Sequence, residues 1–141
     1  MIHPARVDCE MRMALPATFE AIEEFFTEFR RKGGALLGRV NCFTAELLLR
    51  EALTNAVLHG CRADPRKQVR CVARLKGGRL IILIDDDGDG FDWHGAFGEI
   101  AEVPACSGRG LEIFRRYANH VRYNDRGNLV AITKRCAKES L

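Results

Sequence analysis

Apolar residues recur along the chain with two periods, and glycine, proline or polar clusters mark the changes from one to the other. Ala5–Ala14 alternates loosely and predicts a strand. Pro16-Ala17-Thr18 then opens a helix on which Phe19, Ile22, Phe25, Phe26 and Phe29 fall at helical spacing. Arg31-Lys32-Gly33-Gly34 is the expected end of that helix, since basic residues followed by glycine suit a helix C-terminus. A second helix is expected from Asn41 to His59, with apolar Leu47, Leu48, Ala52, Val57 and Leu58 interleaved with Glu51, Thr54 and Asn55, and Gly60 stops it. Lys67–Leu75 and Arg79–Ile84 are β-rich runs joined by Gly77-Gly78, a hairpin signal. Leu80-Ile81-Ile82-Leu83-Ile84 is continuous apolar sequence and suits a central strand. Asp85–Ser107 has no sustained period and predicts a long irregular segment, a kind that is usually functional in compact domains. Gly110–Asn119 predicts a third helix, and His120–Asn124 with Asn128–Lys134 a closing hairpin around Asp125-Arg126-Gly127. The sum is an α+β fold: a two-layer sandwich with a mixed, mostly antiparallel sheet and about three helices on one face.

The bulk numbers fit a single domain spanning 1–141, with 47% hydrophobic and 29% charged residues over 141 positions. A net charge of +3, with Lys and Arg spread from Arg6 to Lys138, does not make the dense basic patch that nucleic acid requires. No apolar stretch approaches the roughly 20 residues of a membrane span. The N-terminus lacks the basic start and apolar run of a secretory signal. Cys9, Cys42, Cys61, Cys71, Cys106 and Cys136 are scattered without a C-x-x-C pair, so the expectation is a cytoplasmic chain with reduced thiols.

Four features carry candidate chemistry. In Glu51-Ala52-Leu53-Thr54-Asn55-Ala56-Val57-Leu58-His59-Gly60, Glu51 and Asn55 stand four apart on one helical face. A carboxylate beside an amide can orient a hydroxyl and ligate a hard cation such as Mg2+; a polar stripe facing solvent is the plain alternative. Next, Asp85-Asp86-Asp87-Gly88-Asp89-Gly90-Phe91-Asp92 follows the apolar strand at once. Such a loop brings a carboxylate and bare backbone against a ligand. An acidic turn or a calcium loop would share part of the pattern, but the twelfth position from Asp85 is Ala96, where a calcium loop needs Glu. Third, Ser107-Gly108-Arg109-Gly110-Leu111 opens a helix, whose free N–H groups suit phosphate oxygens, with Arg109 as an added fork donor. Fourth, Trp93–Cys106, between the two glycine loops, suits a lid.

In this order the features resemble the GHKL ATPases, the superfamily of histidine-kinase ATP domains, gyrase and a heat-shock chaperone, from about residue 40 to the C-terminus. The short length and N-terminal strand and helix look most like the bacterial anti-sigma-factor serine/threonine kinases of partner-switching systems. The resemblance implies the Bergerat ATP-binding fold and ATP or ADP with Mg2+ as ligands. By motif position it implies Asn55 on Mg2+, Glu51 as general base, Asp86 on the adenine amino group, and Gly88 and Gly90 bringing backbone close to the base. Gly108, Arg109, Gly110 and Leu111 would sit at the phosphates. A STAS-type anti-anti-sigma protein would be the phosphorylated partner, a sigma factor a second partner, and a homodimer through the N-terminal strand and first helix is compatible with the Phe19–Phe29 run, for which ordinary core is the favoured reading. The lid departs from related ones in having no Lys or Arg, which leaves the γ-phosphate to Arg109, or to Arg115 or Arg116. That departure keeps open a nucleotide-gated binding module without kinase activity. A trans-acting histidine-kinase ATP domain is a further alternative.

Overall fold

The computed structural model describes residues 7–89 and 108–136. The first helix begins where Thr18, in extended conformation, caps it: its side-chain oxygen accepts from the Ala21 N–H at 3.1 Å. Helix α1 runs Phe19–Asn55 and contains one non-helical residue, Gly38, at φ 79°. Arg30 and Glu46, each eight residues from Gly38, form a salt bridge at 2.7 Å, and Arg50 reaches Glu23 at 2.6 Å. These pairs run the second half of α1 back along the first. The expected helix end at Gly33-Gly34 is therefore corrected: the chain stays helical there and reverses at Gly38. Gly33 is buried, and a Cβ there would make ordinary contact with the Phe29 ring at 3.5 Å, whereas Gly38 takes the left-handed backbone conformation that glycine tolerates.

Five strands form one sheet in the order β1-β2-β3-β5-β4, and every neighbouring pair is antiparallel. They are β1 (Val7–Pro16), β2 (Gln68–Lys76), β3 (Arg79–Asp86), β4 (His120–Tyr123) and β5 (Leu129–Arg135). Helix α2 is Gly108–Tyr117. The α+β expectation holds, with the two halves of α1 and α2 as the three helices. Alternation puts Leu80, Ile82 and Ile84 of β3 and Val130 and Ile132 of β5 under the helices, against Phe25, Phe26, Leu48, Leu49 and Leu53. Phe25, Phe26 and Phe29 are buried and stack or meet edge-on, so most of the phenylalanine run is core; Phe19 is exposed. Cys9, Cys42, Cys61, Cys71 and Cys136 are free thiols. No described helix is long and apolar enough to cross a membrane.

Two boundaries matter for the site. Strand β3 continues two residues past Ile84, so Asp85 and Asp86 belong to the sheet and not to an irregular loop. The α-helical part of α1 ends at Asn55, and Ala56–Gly60 form a π-helical turn in which the Cys61 N–H reaches the Ala56 carbonyl. Single π turns occur often at functional sites.

Candidate functional site

Strand alternation decides what the acidic run does. Asp85 is half-buried on the face of the sheet away from the helices, and Asp86 points inward and is buried. Asp86 is the one buried charged or polar residue among the described residues, at 6% exposure. Its Oδ1 accepts the Gly88 N–H at 2.7 Å, closing a turn immediately after the strand. Its backbone N–H donates to the Asn128 carbonyl at 3.0 Å, which ties it to the turn before β5. Burial pushes its pKa up, opposed by the Gly88 hydrogen bond and assisted by the charges of Asp85 and Asp87.

Two glycines make the space around this carboxylate. A Cβ on Gly60 would lie 2.6 Å from Asp86 Oδ2, and a Cβ on Gly88 would lie 1.8 Å from the Gly60 carbonyl oxygen. The end of the π turn and the start of the acidic loop are thus packed backbone to backbone, with the carboxylate wedged against both. A carboxylate accepts about four hydrogen bonds. Among the described residues Gly88 supplies the one recorded for Asp86, so capacity remains for a ligand N–H.

Asn55 and Glu51 stand one turn apart at the end of α1, both half-buried. The Asn55 side chain shares a cleft with the phenol of Tyr123, which comes from β4 and is itself buried. Burial pushes the Tyr123 phenol pKa up, opposed by the Asn55 side chain beside it. A small cleft of about 10 Å³ joins Asn55, Ala56, Asp86, Tyr123 and the turn residues Gly127 and Asn128. That turn is fixed in advance: Asn124 Oδ1 accepts from the N–H groups of Gly127, Asn128 and Leu129 at 2.9–3.1 Å. Hence Asp86 and Asn55, 31 positions apart in sequence, meet in one place.

Other expected site residues are placed less fully. Gly108, Arg109, Gly110 and Leu111 form the first turn of α2, and their side chains lie outside the described residues. Gly90 and the expected lid, Trp93–Cys106, also lie outside them. Arg115 and Arg116 are exposed in the last turn of α2, roughly 10 Å along the axis from its N-terminus at 1.5 Å per residue.

A buried aspartate at a strand end, held between glycine backbones beside an Asn-bearing helix, is the arrangement to set beside known proteins. The model of the histidine kinase-like ATPase domain matches residues 13–134. The chain belongs to that family. The chain is also 44% identical over 43 residues to an anti-sigma F factor of Shouchella clausii strain KSM-K16. That stretch spans 30% of this chain and 30% of the relative. Histidine kinase-like ATPase domains bind ATP or ADP with Mg2+, and the oxygen donors at Asn55 and Glu51 are of the hard type that this ion takes.

Three residues escaped the sequence reading. Gly60 reads there as a helix stop, while the structure makes it a wall of the Asp86 cradle. Tyr123 reads as an ordinary strand residue, and Asn128 as part of a hairpin. The Asn-x-x-Gly-Asn spacing of residues 124–128 is a turn signal that could have pointed to a rigid loop, but nothing local marks its contact with Asp86.

Two outcomes follow from the cradle. Gly60→Ala should lose about 1–3 kcal/mol in denaturant unfolding, because the new methyl group would lie 2.6 Å from a buried carboxylate that is wedged in place. Asp86→Asn should be neutral or stabilising at pH 7. A raised folded-state pKa means the native protein holds a proton that the unfolded chain has released, so the contribution of Asp86 to stability falls as pH rises above the ordinary aspartate value of 3.8. The stability difference between wild type and Asp86→Asn, from unfolding curves across that range, should move against wild type as pH rises.

Proposed function

We propose that this protein is an ATP-binding anti-sigma-factor-like serine/threonine protein kinase that phosphorylates a STAS-type anti-anti-sigma partner and regulates transcription by partner switching in the cytoplasm. The observation that carries the nucleotide part is Asp86, a buried carboxylate with spare acceptor capacity, walled by backbone. Such a group rewards a ligand that presents an N–H, as the adenine amino group does, and penalises one that leaves it unpaired. Gly88, and Gly90 beyond it, bring main chain rather than side chain against the base.

The residues present fit Mg2+ and ATP. Asn55 offers a side-chain oxygen, and Glu51 stands a turn away on the same helix. Bound MgATP supplies a phosphoryl group whose charge is partly neutralised by the ion. Gly108, Arg109, Gly110 and Leu111 form a helix N-terminus with the polarity to receive phosphates. Glu51 takes the proton of the partner's serine or threonine hydroxyl as its oxygen bonds to the γ-phosphorus, and the β,γ bridging oxygen leaves with ADP. The partial likeness to an anti-sigma F factor supports the partner class. A sigma factor is the second partner in this reading.

One observation favours a second reading, a nucleotide-gated binding module without phosphate transfer. The Trp93–Cys106 segment has no Lys or Arg, and Arg115 and Arg116 stand at the end of α2 remote from its N-terminus. Arg109 is then the cation left for the γ-phosphate.

Incubation with labelled ATP, Mg2+ and a STAS protein separates the two. The kinase reading expects labelled serine or threonine on the STAS protein, and Glu51→Gln should slow transfer by about 100-fold or more while ATP affinity changes little. Undiminished transfer by Glu51→Gln would remove the general base, and nucleotide-dependent complex formation without transfer would favour the binding module.

A further inference from the structure

The acidic run poses an electrostatic problem that the site must solve. Asp85, Asp86 and Asp87 are consecutive, and the middle one is buried where its charge is least welcome. Its two neighbours add repulsion from either side. Arg70, on β2, meets this directly. It is the cross-strand partner of Asp85, and its guanidinium sits between the two flanking carboxylates. Nε donates to Asp85 Oδ2 at 2.8 Å, and NH2 lies 2.7 Å from the same oxygen and 2.9 Å from Asp87 Oδ1.

The clamp also fixes backbone. Asp87 Oδ2 accepts the Gln68 N–H at 3.1 Å, and the Asp87 N–H donates to the Gln68 carbonyl at 3.1 Å. Asp87 is the residue between Asp86 and Gly88, so holding it sets the turn in which the Gly88 N–H reaches Asp86 Oδ1. The three side chains of the clamp are about 40% exposed and lie across the sheet from the carboxylate they govern.

We infer that Arg70 is a positioning residue for base recognition: by gripping Asp85 and Asp87 it holds the turn that aims the Asp86 carboxylate at the ligand, without touching the ligand itself. This rests on the assignment of Asp86 to the adenine. The charge balance agrees with the geometry, since the flanking aspartates raise the Asp86 pKa and Arg70 lowers it. Arg70 acts on one recognition contact, so its loss is felt by nucleotides that use that contact and little by those that do not.

Calorimetric titration of the full chain with MgATP and MgITP tests this, because inosine presents a carbonyl where adenine has its amino group. Wild type should prefer ATP. Arg70→Met should lose roughly fivefold in ATP affinity, the effect of two partly exposed ion pairs, with ITP affinity nearly unchanged. Adding Asp85→Asn to Arg70→Met should restore much of the preference, since it removes a charge that Arg70 neutralises. Arg70→Lys, which keeps the charge without the fork, should fall between the two. Thermal unfolding of each variant identifies any that fails to fold, and Arg70→Lys then carries the comparison. An equal loss for both nucleotides, or an unchanged ATP-to-ITP ratio, would overturn the role of Arg70 while leaving the adenine assignment intact. A wild type that binds both nucleotides equally would overturn that assignment and this inference with it.

Discussion

The buried carboxylate of Asp86 is the constraint around which the described structure is arranged. A carboxylate at 6% exposure is costly to bury, and only specific surroundings keep it in place. Its cradle is made of main chain: Gly88 donates to it, and Gly60 leaves room for it. The two glycines come from segments 28 positions apart, and their backbones approach too closely for a Cβ on Gly88. That contact is why the motif helix ends as it does. A π-helical turn at Ala56–Gly60 carries the chain from Asn55 to the wall of the cradle.

The same constraint organises the sheet. Strand β3 must deliver Asp86 inward at its last position, which places Asp85 on the outer face, where Arg70 of β2 receives both it and Asp87. On the other side, β5 enters from a turn pre-formed by Asn124, and the Asn128 carbonyl takes the Asp86 N–H. Strand β4 contributes Tyr123, whose buried phenol shares a cleft with Asn55 and Asp86. Each of the four strands nearest the site thus supplies one support, and the helical hairpin closing over Phe25, Phe26 and Phe29 presses α1 onto them. Conserving the fold and presenting the site are one task here, achieved with ordinary packing everywhere except at one charge.

Much of this was legible in the residues. The hydrophobic periods located the strands to within about two residues and distinguished helices from strands throughout. The Asp86 register followed from its spacing to Gly88 and Gly90, and the strand face agrees with it. What could not be read was non-local. The helix break fell at Gly38, which takes the left-handed conformation, and not at Gly33-Gly34, and nothing local distinguishes these glycines. Asp85 and Asp86 look like loop residues until Arg70 and Gly60 are seen beside them. Tyr123 carries no signal of its own, since Asn55, beside it in the cleft, lies 68 positions away. Local propensity describes a chain's elements well, while a buried charge is made tolerable by residues that only the tertiary structure brings together.

The central claim is that Asp86 reads an adenine while Asn55 serves the metal beside it. A crystal structure of the protein with Mg2+ and a non-hydrolysable ATP analogue tests it most directly. The account predicts the adenine amino group within hydrogen-bonding distance of an Asp86 carboxylate oxygen, about 2.8–3.2 Å, and Mg2+ bonded to Asn55 Oδ1 and to phosphate oxygens. Nucleotide bound elsewhere, or a base whose amino group faces away from Asp86, would contradict it.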